Sequence, residues 1–252
     1  DALTPARPPA RPLRGLLFLV LAYGAMALCA LLFLPWALLS RDGAVAAGHA
    51  WCRLVRRLLP PLLGIQTEVR GAVPRGEVLV AAKHQSFLDI ILIYGALPRA
   101  RFIMKKELVW APVLGQYALR MGCVPVDRGK RGQAIRRMLA DVAEGRDDPG
   151  QLVIYPQGTR VAPGAAAPYK AGTAALYAEM GRPCVPVATN AGLFWPRRGL
   201  AFRPGLAVVE FLDPIPPGLP AAEVLRRLEA AIEPASDALM GLTTAGSPPP
   251  PA

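Results

Sequence analysis

The chain has 252 residues, enough for one packed core plus a short additional segment. With 29 basic against 18 acidic residues, the formal net charge of +11 favours anionic partners: lipid headgroups, phosphorylated substrates or nucleic acid. Four scattered cysteines (Cys29, Cys52, Cys123, Cys184) with no CxxC pair, and only two histidines, argue against a disulfide scaffold and against a bound metal.

Residues 1–14 are basic and proline-rich and are expected to be disordered. Residues 16–39 then run without a charged side chain, longer than the roughly 20 residues a bilayer span needs. A cleaved leader has a shorter apolar core of about 7–15 residues, and a buried core helix is the other alternative. A retained membrane anchor fits the run best. Arg7, Arg11 and Arg14 precede it and Arg41 follows, so the charge pattern does not orient it. Pro35 is expected to break or bend a helix near its end. Over 44–63, Trp51, Leu54, Val55, Leu58, Leu59 and Leu62 recur at helical spacing between Arg53, Arg56 and Arg57. Such a basic amphipathic helix suits an anionic membrane surface, and nearly as well a plain surface helix packed on the domain. Residues 15–65 are therefore read as N-terminal membrane-associated helices.

From residue 77 the pattern changes. Short apolar strands are predicted at 78–82, 101–105, 123–126, 151–155, 184–189 and 206–212. Helices are predicted at 86–97, in part of 109–121, and at 133–144, 171–180 and 221–232. This alternation predicts an α/β domain over 66–240, a mixed and largely parallel sheet flanked by helices, followed by a disordered tail over 241–252.

The chemistry concentrates at strand ends. Lys83-His84-Gln85-Ser86-Phe87-Leu88-Asp89 follows the strand at 78–82. Ser86 suits a helix N-cap, with Asp89 three residues on as in a capping box. In the plain reading Asp89 touches only backbone. In the functional reading the turn before the helix lets Asp89 take the proton of one ring nitrogen of His84, fixing the tautomer and leaving the other as a general base. Downstream, Tyr155-Pro156-Gln157-Gly158-Thr159-Arg160 follows another strand, where open α/β sheets bind ligands. Freed backbone N–H groups around Gly158, together with Arg160, suit a phosphate. Arg128 follows a third strand, and Lys105 and Lys106 a fourth. Gly129-Lys130-Arg131 lacks the glycine spacing and the Ser/Thr of a P-loop.

Taken together, these residues resemble the lysophospholipid acyltransferases, the 1-acyl-sn-glycerol-3-phosphate acyltransferase group. Four motifs of that family occur in order: the His-x4-Asp box at His84 and Asp89, a second at 122–128, a third at 155–160 and a Val-Pro-Val strand at 185–187. The third is usually Phe-Pro-Glu-Gly-Thr-Arg, and here Gln157 replaces the Glu, keeping a carbonyl acceptor but losing the charge. The resemblance implies that His84 deprotonates an acceptor hydroxyl, which attacks an acyl thioester, while Asp89 orients His84. It implies that Arg128 and Arg160 bind the acceptor phosphate, with Gly158 and Thr159 shaping the loop. Lys105, Gln157, Lys170 and Asn190 are further candidate substrate contacts, and Trp195, Arg197 and Arg198 form a candidate headgroup loop.

No cofactor is implied; acyl-CoA or acyl carrier protein thioester is the co-substrate. The implied product is phosphatidic acid from 1-acyl-sn-glycerol-3-phosphate. The implied setting is a bacterial inner (cytoplasmic) membrane, with membrane lipids as partners and the site facing the cytoplasm. Two alternatives are acylation of another lysolipid, such as lyso-ornithine lipid, and a non-catalytic membrane-anchored lipid-binding protein. Nucleic acid is not an expected partner, because the basic residues are not interleaved with stacking aromatics.

Overall fold

The computed structural model describes residues 12–126, 150–197 and 199–242, and within 127–149 the helical positions 133, 136 and 140. Arg128, most of the helix predicted over 133–144, residues 1–11, Arg198 and the tail over 243–252 lie outside the described residues.

The chain opens with a helical hairpin. α1 (Pro12–Leu39) is apolar on nearly every side, whereas α2 (Arg41–Leu63) is amphipathic. Ser40 alone joins them, and its hydroxyl accepts from the Asp42 N–H at 3.1 Å as the N-cap of α2. Gly64 ends α2 at φ +68°, a left-handed position suited to glycine. Trp51 Nε1 on α2 donates to the Ala22 carbonyl of α1 at 2.9 Å. The expected break at Pro35 does not occur: α1 continues to Leu39, because the missing N–H and the ring contact fall on the last turns. α1 also starts at Pro12, slightly before the boundary expected at residue 15.

Seven strands follow, in the spatial order β1-β7-β6-β2-β5-β3-β4. They are β1 (Ile65–Gly71), β2 (Val78–Ala82), β3 (Ala100–Lys105), β4 (Val124–Val126), β5 (Gln151–Ile154), β6 (Cys184–Thr189) and β7 (Gly205–Phe211). The sheet is mixed and largely parallel, as the alternation predicts; only the β6–β7 pairing is antiparallel. β1 was not among the predicted strands. It is an edge strand paired only with β7, and Ile65 is its one fully buried residue, so it lacks the alternation that marks a half-buried strand.

Helices cover both faces. On one side α3 (Phe87–Ala96) contributes Leu88, Ile91 and Leu92 to a core shared with Val55 and Leu59 of α2 and Phe18 of α1. On the other, α5 (Ala171–Met180) and α6 (Ala221–Met240) contribute Leu176, Tyr177, Leu228 and Ile232. A 3-10 turn (Lys106–Trp110) and α4 (Leu114–Arg120) link β3 to β4. α6 outruns the predicted 221–232 helix, passing Pro234 and ending where Gly241 adopts φ +70°.

The pleat of β2 decides what comes next. Leu79 and Ala81 face α5 and α6, whereas Val80 and Ala82 face α3. The two residues that follow continue this divergence, and the chain leaves β2 with the Lys83 ammonium on one side of the sheet and the His84 imidazole on the other.

α2 approaches α3 closely at Gly48, where a Cβ would lie 2.7 Å from Tyr94 Cε1 and 2.8 Å from the Met121 methyl carbon. Gly48→Val is expected to destabilise the protein by about 1–3 kcal/mol through overpacking, read as a lower thermal unfolding midpoint in detergent.

Candidate active site

Lys83 to Ser86 form the turn between β2 and α3. Ser86 is the N-cap of α3: its Oγ accepts from the Leu88 N–H at 3.1 Å and donates to the Trp195 carbonyl at 2.8 Å. The Asp89 carboxylate is fully buried and divides its two oxygens. Oδ2 accepts the backbone N–H groups of Gln85 at 2.8 Å and Ser86 at 2.7 Å. Oδ1 stands 2.9 Å from His84 Nδ1 and 3.4 Å from the Tyr155 hydroxyl. Asp89 therefore caps the turn with one oxygen and faces the imidazole with the other.

A carboxylate can only accept, so Nδ1 of His84 carries a proton, and in the neutral ring Nε2 keeps its lone pair. No hydrogen bond from a described residue reaches Nε2, and the His84 side chain keeps 14% of its surface exposed. The ring stacks on Tyr155, with centroids 3.9 Å apart and planes 18° from parallel. Burial, reinforced by the adjacent Asp89 charge, pushes the Tyr155 phenol well above its ordinary range, so it remains a donor to Asp89.

The loop over 155–160 lies against this turn. The Val161 N–H donates to the His84 carbonyl at 2.8 Å, and the Gly158 N–H closes a turn onto the Tyr155 carbonyl at 2.8 Å. Gly158 has φ +69°, where a side chain would be strained, and a Cβ there would lie 2.9 Å from Lys170 Nζ. Lys170 thus lies over Gly158. Thr159 is exposed, and the half-buried Arg160 exchanges guanidinium-to-carbonyl hydrogen bonds of 3.3 Å with Arg197 in both directions. That ties Arg160 to the loop carrying Trp195, which packs on Phe87 and Phe18.

The structure thus brings together His84, Asp89, Gly158, Thr159, Arg160 and Lys170. Lys105 is exposed at the end of β3, two strands from β2. Asn190 is turned inward: its amide donates to the Leu206 and Leu239 carbonyls and accepts from the Val208 N–H at 2.8 Å, splicing β6 to β7 and α6. Gln157 is also buried, and its amide donates to the Ala167 carbonyl and to Glu233, both at 3.3 Å. These two candidate contacts hold the scaffold, not an open surface. Arg128 lies outside the described residues.

Two participants escaped the sequence reading. Tyr155 was taken as part of a motif, without its stacking role. Glu233 lies in α6, beyond the predicted end of that helix, and no local pattern connects it to residue 83. Among the described residues no cluster of histidine, cysteine and acidic side chains could hold a metal ion. Burial pushes the thiols of Cys123 and Cys184 up to about 11 and about 12, so neither is a thiolate at neutral pH.

The 1-acyl-sn-glycerol-3-phosphate acyltransferase of Pseudomonas aeruginosa is 30% identical over 157 residues, covering 62% of this chain and 61% of the relative. The alpha form of the human enzyme of that name is 32% identical over 170 residues, covering 65% of this chain and 60% of the relative. The chain spans about three fifths of the length of these relatives. Its fold matches the crystal structure of the 1-acyl-sn-glycerophosphate (LPA) acyltransferase PlsC from Thermotoga maritima. That match has a TM-score of 0.74 at 21% identity and covers 92% of this chain and 97% of that one. The acyltransferase family model matches residues 65–190, half of the chain, and the protein belongs to the acyltransferase family.

Proposed function

We propose that this protein transfers a fatty acyl group from a thioester to the free hydroxyl of 1-acyl-sn-glycerol-3-phosphate, giving phosphatidic acid. The observation that carries this reading is the His84 imidazole, fixed by buried Asp89 and with Nε2 open beside the cationic 158–160 loop. Nε2 takes the proton of the acceptor hydroxyl as that oxygen attacks the thioester carbonyl. The tetrahedral intermediate expels the donor's thiolate, and the imidazolium returns its proton to the sulfur. The product is an ester plus a free thiol, and no acyl-enzyme forms. Buried Asp89 stabilises the transient imidazolium. Arg160, with Lys170 over Gly158 and Arg128 of the second motif, would hold the acceptor phosphate.

The donor we assign is acyl carrier protein or coenzyme A thioester, both anionic and matched to the net charge of +11. The names of the relatives favour lysophosphatidic acid over another lysolipid.

We further place α1 within one leaflet, on the cytoplasmic side of a bacterial inner membrane, where acyl thioesters are made. Both halves of α1 pack on the domain: Phe18 against Trp195 and Phe202, and the Ala30 and Ala37 carbonyls against Tyr117 and Arg120. An upright α1 would draw Arg53, Arg56 and Arg57 of α2 into hydrocarbon at about 2.5–3.5 kcal/mol each. Lying flat, it offers the leaflet its exposed leucines, among them Leu31 at 67% and Leu39 at 89% exposure. Arg53, Arg56 and Arg57 line a cleft of about 300 Å³ with Gln66 and Thr67, a cationic margin for anionic headgroups.

Purified protein in detergent should convert lysophosphatidic acid and an acyl thioester to phosphatidic acid, and His84→Ala should lower turnover by about 100-fold or more. An acceptor panel that yields product only with an aminolipid would redirect the reading. Asp89→Asn is expected to move the imidazole proton to Nε2, visible in long-range ¹H–¹⁵N spectra, with a comparable loss of turnover. Leu31→Glu with Leu32→Glu should reduce co-sedimentation with anionic vesicles while the circular dichroism spectrum stays unchanged.

A further inference from the structure

Lys83 immediately precedes His84 and points to the opposite side of the sheet. Its side chain is only 3% exposed, and its ammonium is ion-paired with Glu233 of α6. Glu233 also accepts from the Tyr169 hydroxyl at 2.8 Å and from Gln157 Nε2 at 3.3 Å. Three donors from three segments thus converge on one carboxylate: the His84 turn, the 155–160 loop and the approach to α5. Burial and the Glu233 charge push the Tyr169 phenol upward, which keeps it a donor.

A buried ammonium without a counter-charge is strongly destabilising. Position 157 touches this cluster, and the resembling motif carries a carboxylate there. A carboxylate at 157 beside Glu233 would set two like charges against one ammonium, whereas the neutral amide donates instead. Neutral Gln157 and charged Glu233 are therefore complementary choices. The same turn has further tethers to the C-terminal part of the chain: Gln85 Nε2 contacts Met240 Sδ at 3.5 Å, and Gln85 Oε1 accepts from the Gly192 N–H at 3.1 Å.

We propose that Glu233 is a positioning residue for His84, acting through Lys83, and that it carries in this chain the negative charge that position 157 lacks. The imidazole is then held on both sides of the sheet, by Asp89 in front and by Lys83–Glu233 behind. The role in turnover rests on the acyl-transfer reading above; the charge exchange between 157 and 233 does not.

The test is a double-mutant cycle on the full chain in detergent, with Glu233→Gln, Gln157→Glu and the pair combined. The thermal unfolding midpoint needs no activity. Glu233→Gln should lower it by roughly 6 °C or more, Gln157→Glu should also lower it, and the combined variant should recover most of the loss. Strictly additive losses would overturn the exchange. In the acyl-transfer assay, Glu233→Gln should lower kcat on the order of 10- to 100-fold with KM for lysophosphatidic acid within about twofold, and the combined variant should regain most of kcat. Should Glu233→Gln fail to fold, Lys83→Met with Glu233→Gln removes both charges and should fold while retaining the kcat defect. Wild-type kcat in that variant would reduce the pair to a stability element and overturn the positioning role. A wild type inactive with every acceptor would refute the acyl-transfer reading and the positioning role with it, while the unfolding cycle would still decide the exchange.

Discussion

One buried carboxylate organises the candidate site. Asp89 caps the start of α3 through two backbone N–H groups and holds the imidazole of His84 with its other oxygen. Helix start and ring orientation are therefore fixed by the same atoms, and a residue that failed at one would fail at the other. The geometry is short-range in sequence, because the four-residue turn before α3 lets a side chain at 84 face one at 89. The stack on Tyr155 and the bond from the Val161 N–H then register a second strand-end loop against the first. Arg160 of that loop, and Lys170 over Gly158, are brought to the His84 turn by this packing, not by any contact between the charges themselves.

The sheet contributes position in a different way. β5 and β6 are buried along their length, as is β2 after its first residue, and together they make a rigid floor. The alternation of β2 continues past its last pair and sends Lys83 and His84 to opposite faces. The turn at the end of this strand thus has two environments within two residues, one facing Asp89 and Tyr155 and one facing Glu233 of α6.

Much of this was legible beforehand because it is written locally. The His84–Asp89 spacing, the Ser86 cap and the apolar strands before each motif all lie within windows of a few residues, and the chain folded them as read. What was not legible is non-local or weakly patterned. β1 has too few buried positions to alternate. The run of α6 past Pro234 depends on tertiary contacts that outweigh the proline. Asn190 read as a strand-end polar group available to a ligand, yet its amide is used up by β7 and α6. Gln157 read as a loss of charge, because the carboxylate beside it arrives from a helix some 76 positions further on.

That helix has a consequence for how the protein is divided. The acyltransferase family model matches residues 65–190, whereas Lys83, Gln85, Thr189 and Asn190 all find partners between Glu233 and Met240. The stretch that the family model matches is therefore smaller than the stretch that packs together. A fragment cut at residue 190 would keep every motif residue and lose the helix that braces them.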